Sequence, residues 1–269
     1  MRSNLLVQEI LKVKKIAFEH ILIVSVLFLG LGSSLPLHAQ KAKQIDPTDF
    51  VTQFGLKNEW TDKQGGGYKN RFIPRFEYAA SGSLAFRFEL PVVANNIHKV
   101  GYDTDFGVGD LSTQFRWRVK KGQGFKLITG LGVTWDTASE PILGGRKKLI
   151  SPFVFASIRL KAQKIMLFPY LQYDYSIEED ADVQETQLLI FSPIAFKMLP
   201  DRFYTMVFPT LYLNGALNDK FGAKLEVEGG RFVSKKTMVY VTPGFGVYSD
   251  VLPQVYNWRI SLGLRHFFK

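Results

Sequence analysis

Apolar and polar residues alternate through the stretch from Gly107 to Thr137, with one break near its middle. Before the break, every second residue is apolar or threonine, namely Leu111, Thr113, Phe115, Trp117 and Val119. The residues between them are polar or basic, namely Ser112, Gln114, Arg116, Arg118 and Lys120. After a short turn at 121–123, the alternation resumes over 125–135. A period of two indicates a β-strand with one apolar and one polar face, so this stretch predicts a β-hairpin.

The two strands of this hairpin are longer than the usual strand of a soluble sheet, and aromatic residues lie toward their ends. Both properties are typical of membrane-spanning strands in outer-membrane barrels. Comparable segments continue along the chain, at 51–61, 71–78, 84–90, 148–160, 165–177, 185–198, 202–213, 221–232, 237–248 and 255–268. The connections between them are alternately short and longer, as in single-chain bacterial barrels with both termini in the periplasm.

The sequence therefore predicts an all-β fold, a transmembrane antiparallel up-and-down β-barrel of about twelve strands, preceded by a cleaved signal peptide. Errors at the segment boundaries can change the strand number by about two. In this topology the turn at 121–123 faces the periplasm, and Gly107 and Thr137 lie toward the cell exterior.

Six of the predicted strands contain an interior proline: Pro74, Pro152, Pro169, Pro193, Pro209 and Pro243. Proline lacks the backbone N–H that a ladder requires, and it usually marks a strand edge or a bulge. Five of the six fall on the outward parity, and the segment around Pro193 gives no clean parity. We predict bulges or hydrogen-bond gaps near the membrane interface. The alternative is that the prolines end the strands early, which would favour a soluble barrel with shorter strands.

The beginning of the chain predicts a secretory signal peptide over residues 1–39. A basic region precedes the apolar run 21–31, and Ala39 offers a small residue before a cleavage site. The run is shorter than the about 20 residues of a spanning helix, although an uncleaved anchor remains an alternative. We expect residues 40–50 to be a periplasmic lead-in and residues 51–269 to form the barrel.

The composition agrees with an exported membrane protein. Aromatic residues make up 14% of the chain, as lipid-facing bands require, and the absence of Cys excludes disulfides and thiolate chemistry. The formal net charge is +10, and a basic protein is a candidate for binding nucleic acid. However, the charges are spread singly along alternating strands, without a polybasic cluster. We therefore predict no nucleic-acid partner.

Charged residues concentrate on the parity that would face the barrel interior. The candidate lumen-lining bases are Lys57, Arg75, Arg87, Arg116, Arg118, Lys126, Arg159, Lys224, Arg259 and Arg265. The acids are Glu59, Glu77, Glu89, Asp174, Glu226 and Glu228. One interpretation is a structural ladder, because a charge in a narrow lumen must be paired or wetted. The other is a water-filled passage whose excess of bases favours anionic or polarisable solutes.

Other chemistry has little support in the sequence. A membrane hydrolase of the Ser–His type needs a base within hydrogen-bond reach of its nucleophile. After the predicted leader, the histidines are His98, in a long connection, and His266, on the predicted lipid-facing parity. The acidic stretch 178–182 is more typical of a solvated loop than of a site for a divalent ion. We predict no catalytic residue, no metal site and no cofactor.

Two short motifs resemble those of a known family. They are GVGDL, from Gly107 to Leu111, which precedes an alternating basic strand, and LPV, at the end of the strand over 85–92. Both are similar to motifs of the outer-membrane barrel family named for the MetA pathway of phenol degradation. Over residues 50–269, the resemblance implies an outer-membrane barrel thought to assist the passage of small, often hydrophobic molecules. It does not assign phenol as a substrate.

The last predicted strand alternates up to Phe268, which Lys269 follows. It resembles the signal by which outer-membrane barrels engage their assembly machinery. We expect that machinery, outer-membrane lipid and lipopolysaccharide as partners. The sequence thus predicts a passive channel or transporter for small hydrophobic or anionic molecules in the outer membrane of a diderm bacterium. A structural barrel with a plugged lumen and a lipid-modifying enzyme are the alternatives.

Overall fold

A computed structural model describes residues 46–63, 66–96, 105–250 and 252–268. Most of these residues are in strands, and short 3-10 turns occur at Pro200–Arg202 and Gly215–Leu217. None of the helices in the described ranges is long and apolar enough to cross a membrane. The predicted signal peptide, 1–39, and His98 lie outside the described residues.

The described residues form fourteen strands of one antiparallel sheet. In chain order the strands are β1 (Gln53–Lys63), β2 (Tyr68–Ala79), β3 (Leu84–Glu89), β4 (Val92–Asn96), β5 (Asp105–Val108), β6 (Ser112–Lys121), β7 (Phe125–Thr134), β8 (Lys147–Leu160), β9 (Ile165–Glu179), β10 (Gln187–Met198), β11 (Phe203–Asn214), β12 (Lys220–Phe232), β13 (Thr237–Ser249) and β14 (Tyr256–Phe267). Because β1 pairs with both β14 and β2, the sheet closes on itself. The predicted all-β barrel is confirmed.

Two positions in the barrel wall are occupied by interrupted strands. β3 and β4 pair with β2 in one continuous register, because Arg75 lies opposite Glu89 and Phe72 lies opposite Val92. β5 and β6 follow one another along the next position, where they pair with β4 and β3. Fourteen strands minus these two interruptions leave twelve positions in the described wall, so the predicted strand number is confirmed.

The sequence predicted no strand between residue 90 and Gly107, and this was wrong, since β4 and β5 continue the wall within that interval. The break before β4 falls at Pro91, which cannot donate to the ladder. The carbonyl of Pro91 accepts a hydrogen bond from the amide of Gly109 at 2.8 Å, in the break between β5 and β6. A Cβ on Gly109 would lie 2.8 Å from Cγ2 of Val93, so the close approach of the two breaks requires glycine.

The connections fall at two ends of the barrel. The turn end carries the short turns 80–83, 122–124, 161–164, 199–202 and 233–236. The chain also enters and leaves the wall there, where the amide of Phe268 donates to the carbonyl of Thr52 at 2.9 Å. The loop end carries the longer connections, which confirms the predicted alternation. By the rule for bacterial barrels, the turn end is expected to face the periplasm.

Large apolar side chains cover the outer surface, which we call the outward belt. Its members include Trp60, Phe76, Phe88, Phe115, Trp117, Leu131, Leu171, Val241, Ile260 and Leu262. Such a continuous apolar surface is unfavourable in water and suits contact with lipid. In the hairpin of β6 and β7, Trp117 and Leu131 belong to the belt, whereas Arg116 and Lys126 contact acids inside the barrel.

The six interior prolines lie on the outward parity of strands that reach 15 residues. Pro193, which the sequence left undecided, shares this parity. On either side of it, β10 and β11 keep one register, from Phe191 opposite Leu211 to Ala195 opposite Val207. The bulges fall elsewhere in the barrel. The prolines therefore leave gaps in the ladder, and the alternative of shortened strands is wrong.

The connection between β7 and β8 folds over the barrel mouth at the loop end. Oδ1 of Asp110 accepts the backbone N–H groups of Thr137 and Ala138, each at 3.2 Å, and Oδ2 accepts that of Gly145 at 2.6 Å. Leu143 from this connection is buried at 1% exposure. The aspartate of the GVGDL motif thus holds a loop in place, which gives the motif a structural role.

The connection between β13 and β14 also sends side chains inward. Leu252 and Val255 are buried against Leu188 of β10 and Tyr212 of β11. A Cβ on Gly222 of β12 would lie 2.8 Å from Val255, so the small residue makes room for this loop. Apolar loop residues therefore narrow the lumen at the loop end.

Candidate channel lumen

Glu77 is the centre of a buried ion-pair cluster in the lumen. It lies on β2 opposite Arg87 of β3, and its Oε2 accepts from Nε and Nη2 of Arg87 at 3.0 and 2.8 Å. Its Oε1 accepts from Nη1 of Arg116, on β6, at 2.7 Å. Glu77 is 2% exposed, so its carboxylate is shielded from water, and the two guanidinium groups compensate its buried negative charge.

The same strands carry a second cross-strand pair. Nε of Arg75 lies 2.7 Å from Oε1 of Glu89, its direct partner in the register. Arg75 and Glu77 on β2 thus meet Glu89 and Arg87 on β3, because antiparallel pairing reverses the order of charges. Opposite charges in such positions stabilise a sheet. The ladder predicted from these four residues is present.

A second polar cluster lies where β1, β12 and β14 bring acids and bases together. Nη1 of Arg259 lies 3.7 Å from carboxylate oxygens of both Glu59 and Glu226. Lys57 contacts Glu59 at 2.8 Å. Lys224 contacts Glu226 at 3.0 Å. Each acid is thus shared by at least two bases, which leaves excess positive charge in this part of the lumen.

Arg265 and Glu228 form a looser pair on β14 and β12. Nη2 of Arg265 lies 3.5 Å from Oε2 of Glu228, and its guanidinium group lies 4.6 Å from the ring centroid of Tyr240. Oε1 of Glu228 accepts a hydrogen bond from the hydroxyl of Tyr204 at 2.7 Å. The carboxylate of Glu228 therefore has a short contact with a phenol and only a long contact with a guanidinium group.

Arg159 and Asp174, which the sequence assigned to the lumen, lie outside the charged clusters described above. Arg159 lies one residue before the end of β8, opposite Met166, and is exposed at the turn end. Its exposure at the end of β8 places it at the rim rather than along the buried lumen wall. Asp174 does face the lumen from β9, where Ser151 and Gln172 hydrogen-bond to its carboxylate.

The sequence missed lumen residues near the loop end. Arg71 lies opposite Glu59 in the β1–β2 register, with Nη1 3.4 Å from Oε2. Lys63 of β1 donates a hydrogen bond to Asn95 of β4. Both bases share the parity of Lys57, but they fall at or beyond the predicted strand boundaries. More accurate boundaries would have identified them by parity.

The opposite wall of the lumen is apolar. Inward side chains of β8 to β11 contribute Phe153, Phe155, Met166, Phe168, Phe196 and Met206 to a buried cluster that continues into β12 to β14. Their outward neighbours, such as Val154 and Leu171, are apolar as well. Around this cluster the strands therefore have two apolar faces, and this part of the lumen has one charged wall and one aromatic wall.

Residues 46–50, which we call the inner segment, run inside the barrel near the turn end. Nζ of Lys126 lies 2.8 Å from Oδ2 of Asp46 and 2.7 Å from Oδ2 of Asp49. Oγ of Ser157 donates to Oδ2 of Asp46 at 3.3 Å. Asp46 is 2% exposed and Thr48 is 0% exposed, so the segment is enclosed.

This placement corrects the expected periplasmic lead-in, 40–50, for the part that is described. The physical reason is the charge on the wall. Arg118 and Lys126 project into the lumen near the turn end, and the inner segment brings two carboxylates to them. A polar segment next to a basic lumen is thereby more stable inside the barrel than beside it.

Arginines also hold the backbone and the aromatic residue of the inner segment. Nη2 of Arg116 donates to the carbonyl of Pro47 at 2.6 Å, and Nη1 of Arg118 donates to that of Thr48 at 3.1 Å. Both guanidinium groups lie over the ring of Phe50, at 5.2 and 5.5 Å from its centroid. These are side-chain contacts without a strand ladder, so water or a solute can replace them.

Two cavities lie in the lumen, and the first of them borders the inner segment at Asp46 and Asp49. One, of about 240 Å³, separates the charged wall at Glu77 from the aromatic wall at Phe168. The other, of about 280 Å³, is bordered mainly by charged and hydroxyl side chains. Arg75, Phe208 and Arg265 line both cavities and therefore stand at their junction.

His266 faces outward at the turn end. Its Nδ1 lies 3.0 Å from Oγ1 of Thr237, and its ring meets that of Phe268 edge-on at 5.1 Å. In the described part of the chain, no group of three or more His, Asp or Glu side chains could hold a metal ion.

The acidic stretch 178–182 is tied to the neighbouring loop at the loop end. Nε of Arg146 donates to Asp180 at 2.8 Å, and its Nη1 donates to Asp182 at 2.8 Å. The hydrogen bonds from Arg146 lower the pKa of Asp182, and those to Asp182 and Asp180 raise the pKa of Arg146. Lys148 contacts Glu178 at 2.7 Å. These acids link two loops.

The fold and the lumen together define a class of protein. A closed antiparallel barrel with an apolar outer belt, short turns at one end, longer loops at the other and a charged interior is the architecture of bacterial outer-membrane barrels.

Solved structures with this fold include channels. The chain is similar to an outer membrane channel from Pseudomonas putida F1, with a TM-score of 0.63 and 12% identity over 89% of this chain and 98% of that one. It is similar to the NanC porin, with a TM-score of 0.55 and 11% identity over 80% and 99%. It is also similar to the KdgM porin in complex with disordered oligogalacturonate, with a TM-score of 0.54 and 10% identity over 81% and 99%. No protein-family model and no curated protein matches the sequence. At these identities the likeness shows the fold alone, which is that of outer-membrane barrels.

Proposed function

We propose that this protein is an outer-membrane channel for small molecules, and that the inner segment holds its lumen closed. The observation that carries this proposal is a charged lumen with two cavities, one of which borders a segment that belongs to none of the described strands. The fold is shared with a channel and two porins. A barrel that served only as a membrane anchor would need neither the lumen cavities nor an inner segment held by side-chain contacts alone.

The chemistry of the two lumen walls favours an amphipathic or anionic solute. The aromatic wall offers apolar contact area, and the charged wall provides arginines that recognise carboxylates. The likeness of GVGDL to the MetA-pathway family supports small hydrophobic molecules. The KdgM porin, with oligogalacturonate, is an example of the fold that takes an acidic solute.

A structural barrel with a plugged lumen is the second candidate. It is favoured by the density of ion pairs around residues such as Glu77, which fill part of the interior. A lipid-modifying enzyme is less favoured, because His266 is hydrogen-bonded to a threonine, Thr237, at the outward rim. We propose that the protein has no enzymatic activity.

Reversal potentials in planar bilayers test the proposed channel. Under a salt gradient, we expect ion passage with a preference for chloride, because bases outnumber acids along the lumen. The control variant Arg146→Gln removes a loop arginine outside the lumen and should leave the reversal potential unchanged. A preference for cations would contradict an anionic solute. A complete lack of conductance, even after the inner segment is loosened by substitution, would favour the structural barrel.

Export and assembly belong to the same proposal. Residues 1–39 would direct the chain across the inner membrane and be removed, and the strand ending near Phe268 would engage the barrel-assembly machinery. Phe268 directly follows the last strand and is exposed, where a recognising partner can reach it. Lipid and lipopolysaccharide would then contact the outward belt and the loop end.

A further inference from the structure

We propose that Arg75 and Arg265 form a site for the carboxylate of a small amphipathic acid, in the gap above Gly55 on the lumen wall. This inference rests on the proposed channel function and deepens it by assigning a class of solute and the residues that would bind it. The apolar body of the acid would lie against the aromatic wall.

Strand register places the two arginines on either side of one glycine. Gly55 of β1 lies opposite Arg75 of β2 on one side and opposite Arg265 of β14 on the other. All three residues have the inward parity, so both guanidinium groups enter the lumen from one row. Because neighbouring strands are about 4.8 Å apart, the two arginine Cα atoms are separated by about 10 Å.

Gly55 keeps the space between the two arginine stems open. A Cβ at this position would lie 3.7 Å from Cγ of Arg265 and 3.9 Å from Cβ of Arg75, so a branched side chain would fill the gap. Gly55 does not have a positive φ, and its backbone conformation therefore does not require glycine. Glycine inside a strand is less favourable than alanine and often marks the close approach of a ligand.

Both arginines retain hydrogen-bonding capacity in the lumen. Arg75 contacts Glu89 through Nε, and the contact of Arg265 with Glu228 is long, at 3.5 Å. A guanidinium group has five N–H donors in a planar fork, which suits a carboxylate with two oxygens. The two side chains are 24% and 21% exposed, and the space they are exposed to is the pair of lumen cavities.

The cavities suit the two ends of an amphipathic acid. Arg75 and Arg265 stand at the junction of the cavities together with Phe208. From this junction, the cavity of about 240 Å³ continues along Ile194 and Phe168 of the aromatic wall. A carboxylate held at the junction would therefore direct a small aromatic or short alkyl body into apolar surroundings.

Fluorine NMR of a ligand added to the detergent-solubilised full chain tests this site. The probe is 4-fluorophenylacetate, and its neutral match is 4-fluorophenylacetamide. We expect the acid to bind at least about tenfold more tightly than the amide, because the amide cannot accept two charge-assisted hydrogen bonds. The variants Arg75→Gln and Arg265→Gln should each weaken binding of the acid by about tenfold.

Two further variants separate the proposed site from the general field of the lumen. Gly55→Val keeps both arginines and the net charge but fills the gap, so it should also weaken binding of the acid by about tenfold. Arg71→Gln removes a lumen arginine that borders neither cavity and should change binding by less than about twofold. Heat-modifiable gel mobility shows that each variant is a folded barrel.

Equal affinity for the acid and the amide would contradict the proposed site, as would the absence of acid binding to the native protein. A loss of acid affinity in Arg71→Gln as large as that in Arg75→Gln and Arg265→Gln would contradict it as well. Failure of the site is distinguishable from failure of the channel. If the protein conducts ions but does not bind the acid, only the proposed site is contradicted. If it binds the acid but does not conduct ions, only the proposed channel function is contradicted.

Discussion

The double variant Asp46→Asn, Asp49→Asn is expected to open the lumen. In the native protein, these two carboxylates form ion pairs with Lys126 and Arg118 at 2.7 to 3.1 Å. Hydrogen bonds to charged groups contribute about 1.5–3 kcal/mol each. Replacing the two carboxylates, at the lower value for each, should reduce the free energy that holds the inner segment by about 3 kcal/mol, so the ratio of open to closed protein should rise about 100-fold. Single-channel recording measures this rise as open probability.

The matched control is Asp180→Asn, which removes a carboxylate paired with Arg146 in the loops outside the lumen. Its open probability should equal that of the native protein. If the double variant is no more open than this control, then the inner segment does not close the lumen.

Glu77→Gln is expected to destabilise the barrel more than other single substitutions of lumen charges. The change leaves Arg87 and Arg116 without the carboxylate that both contact, at a position that is 2% exposed. Removing one partner of a buried ion pair costs about 3–5 kcal/mol, because the remaining charge is uncompensated. Urea unfolding of the protein refolded in lipid should show a loss of this size in the free energy of unfolding.

Glu178→Gln makes the same chemical change at the surface and is the control. Glu178 contacts Lys148 at 2.7 Å but its side chain is 69% exposed. Exposed pairs contribute about 0–1 kcal/mol, so the control should be nearly as stable as the native protein. Equal stability of the two variants would mean that water already compensates the charges around Glu77.

The alternation of side chains was sufficient to predict the barrel. Wherever one face of a strand is apolar and the other polar, as from Leu111 to Lys120, the period of two assigns each residue to lipid or lumen. The cross-strand pairs of Arg75 with Glu89 and of Arg87 with Glu77 followed from that assignment and from antiparallel order.

The aromatic wall was not predicted, because the pattern disappears where it occurs. β8 to β11 have apolar residues on both faces, since one face meets lipid and the other meets the inner cluster around Phe168. A strand that is apolar on both faces has no period of two. The unclear parity around Pro193 was a sign of this wall.

The inner segment could not be placed from the sequence either. Its residues have no strand periodicity, and a polar segment looks alike whether water or a charged lumen surrounds it. Its position depends on Arg116, Arg118 and Lys126, which lie about 70 to 80 residues further along the chain. Contacts at such separations are defined by the closed barrel.

The conductance of the variant Asp46→Cys, Ser157→Cys before and after reduction tests the central claim most directly. The native chain contains no cysteine, and these two side chains are in contact at 3.3 Å, so the engineered pair reports on this contact alone. We predict that oxidation links the pair and holds the channel closed. Reductant should then raise the conductance toward that of Asp46→Asn, Asp49→Asn. Conductance that does not respond to reductant, in protein whose link is verified by mass spectrometry, would contradict closure of the lumen by the inner segment.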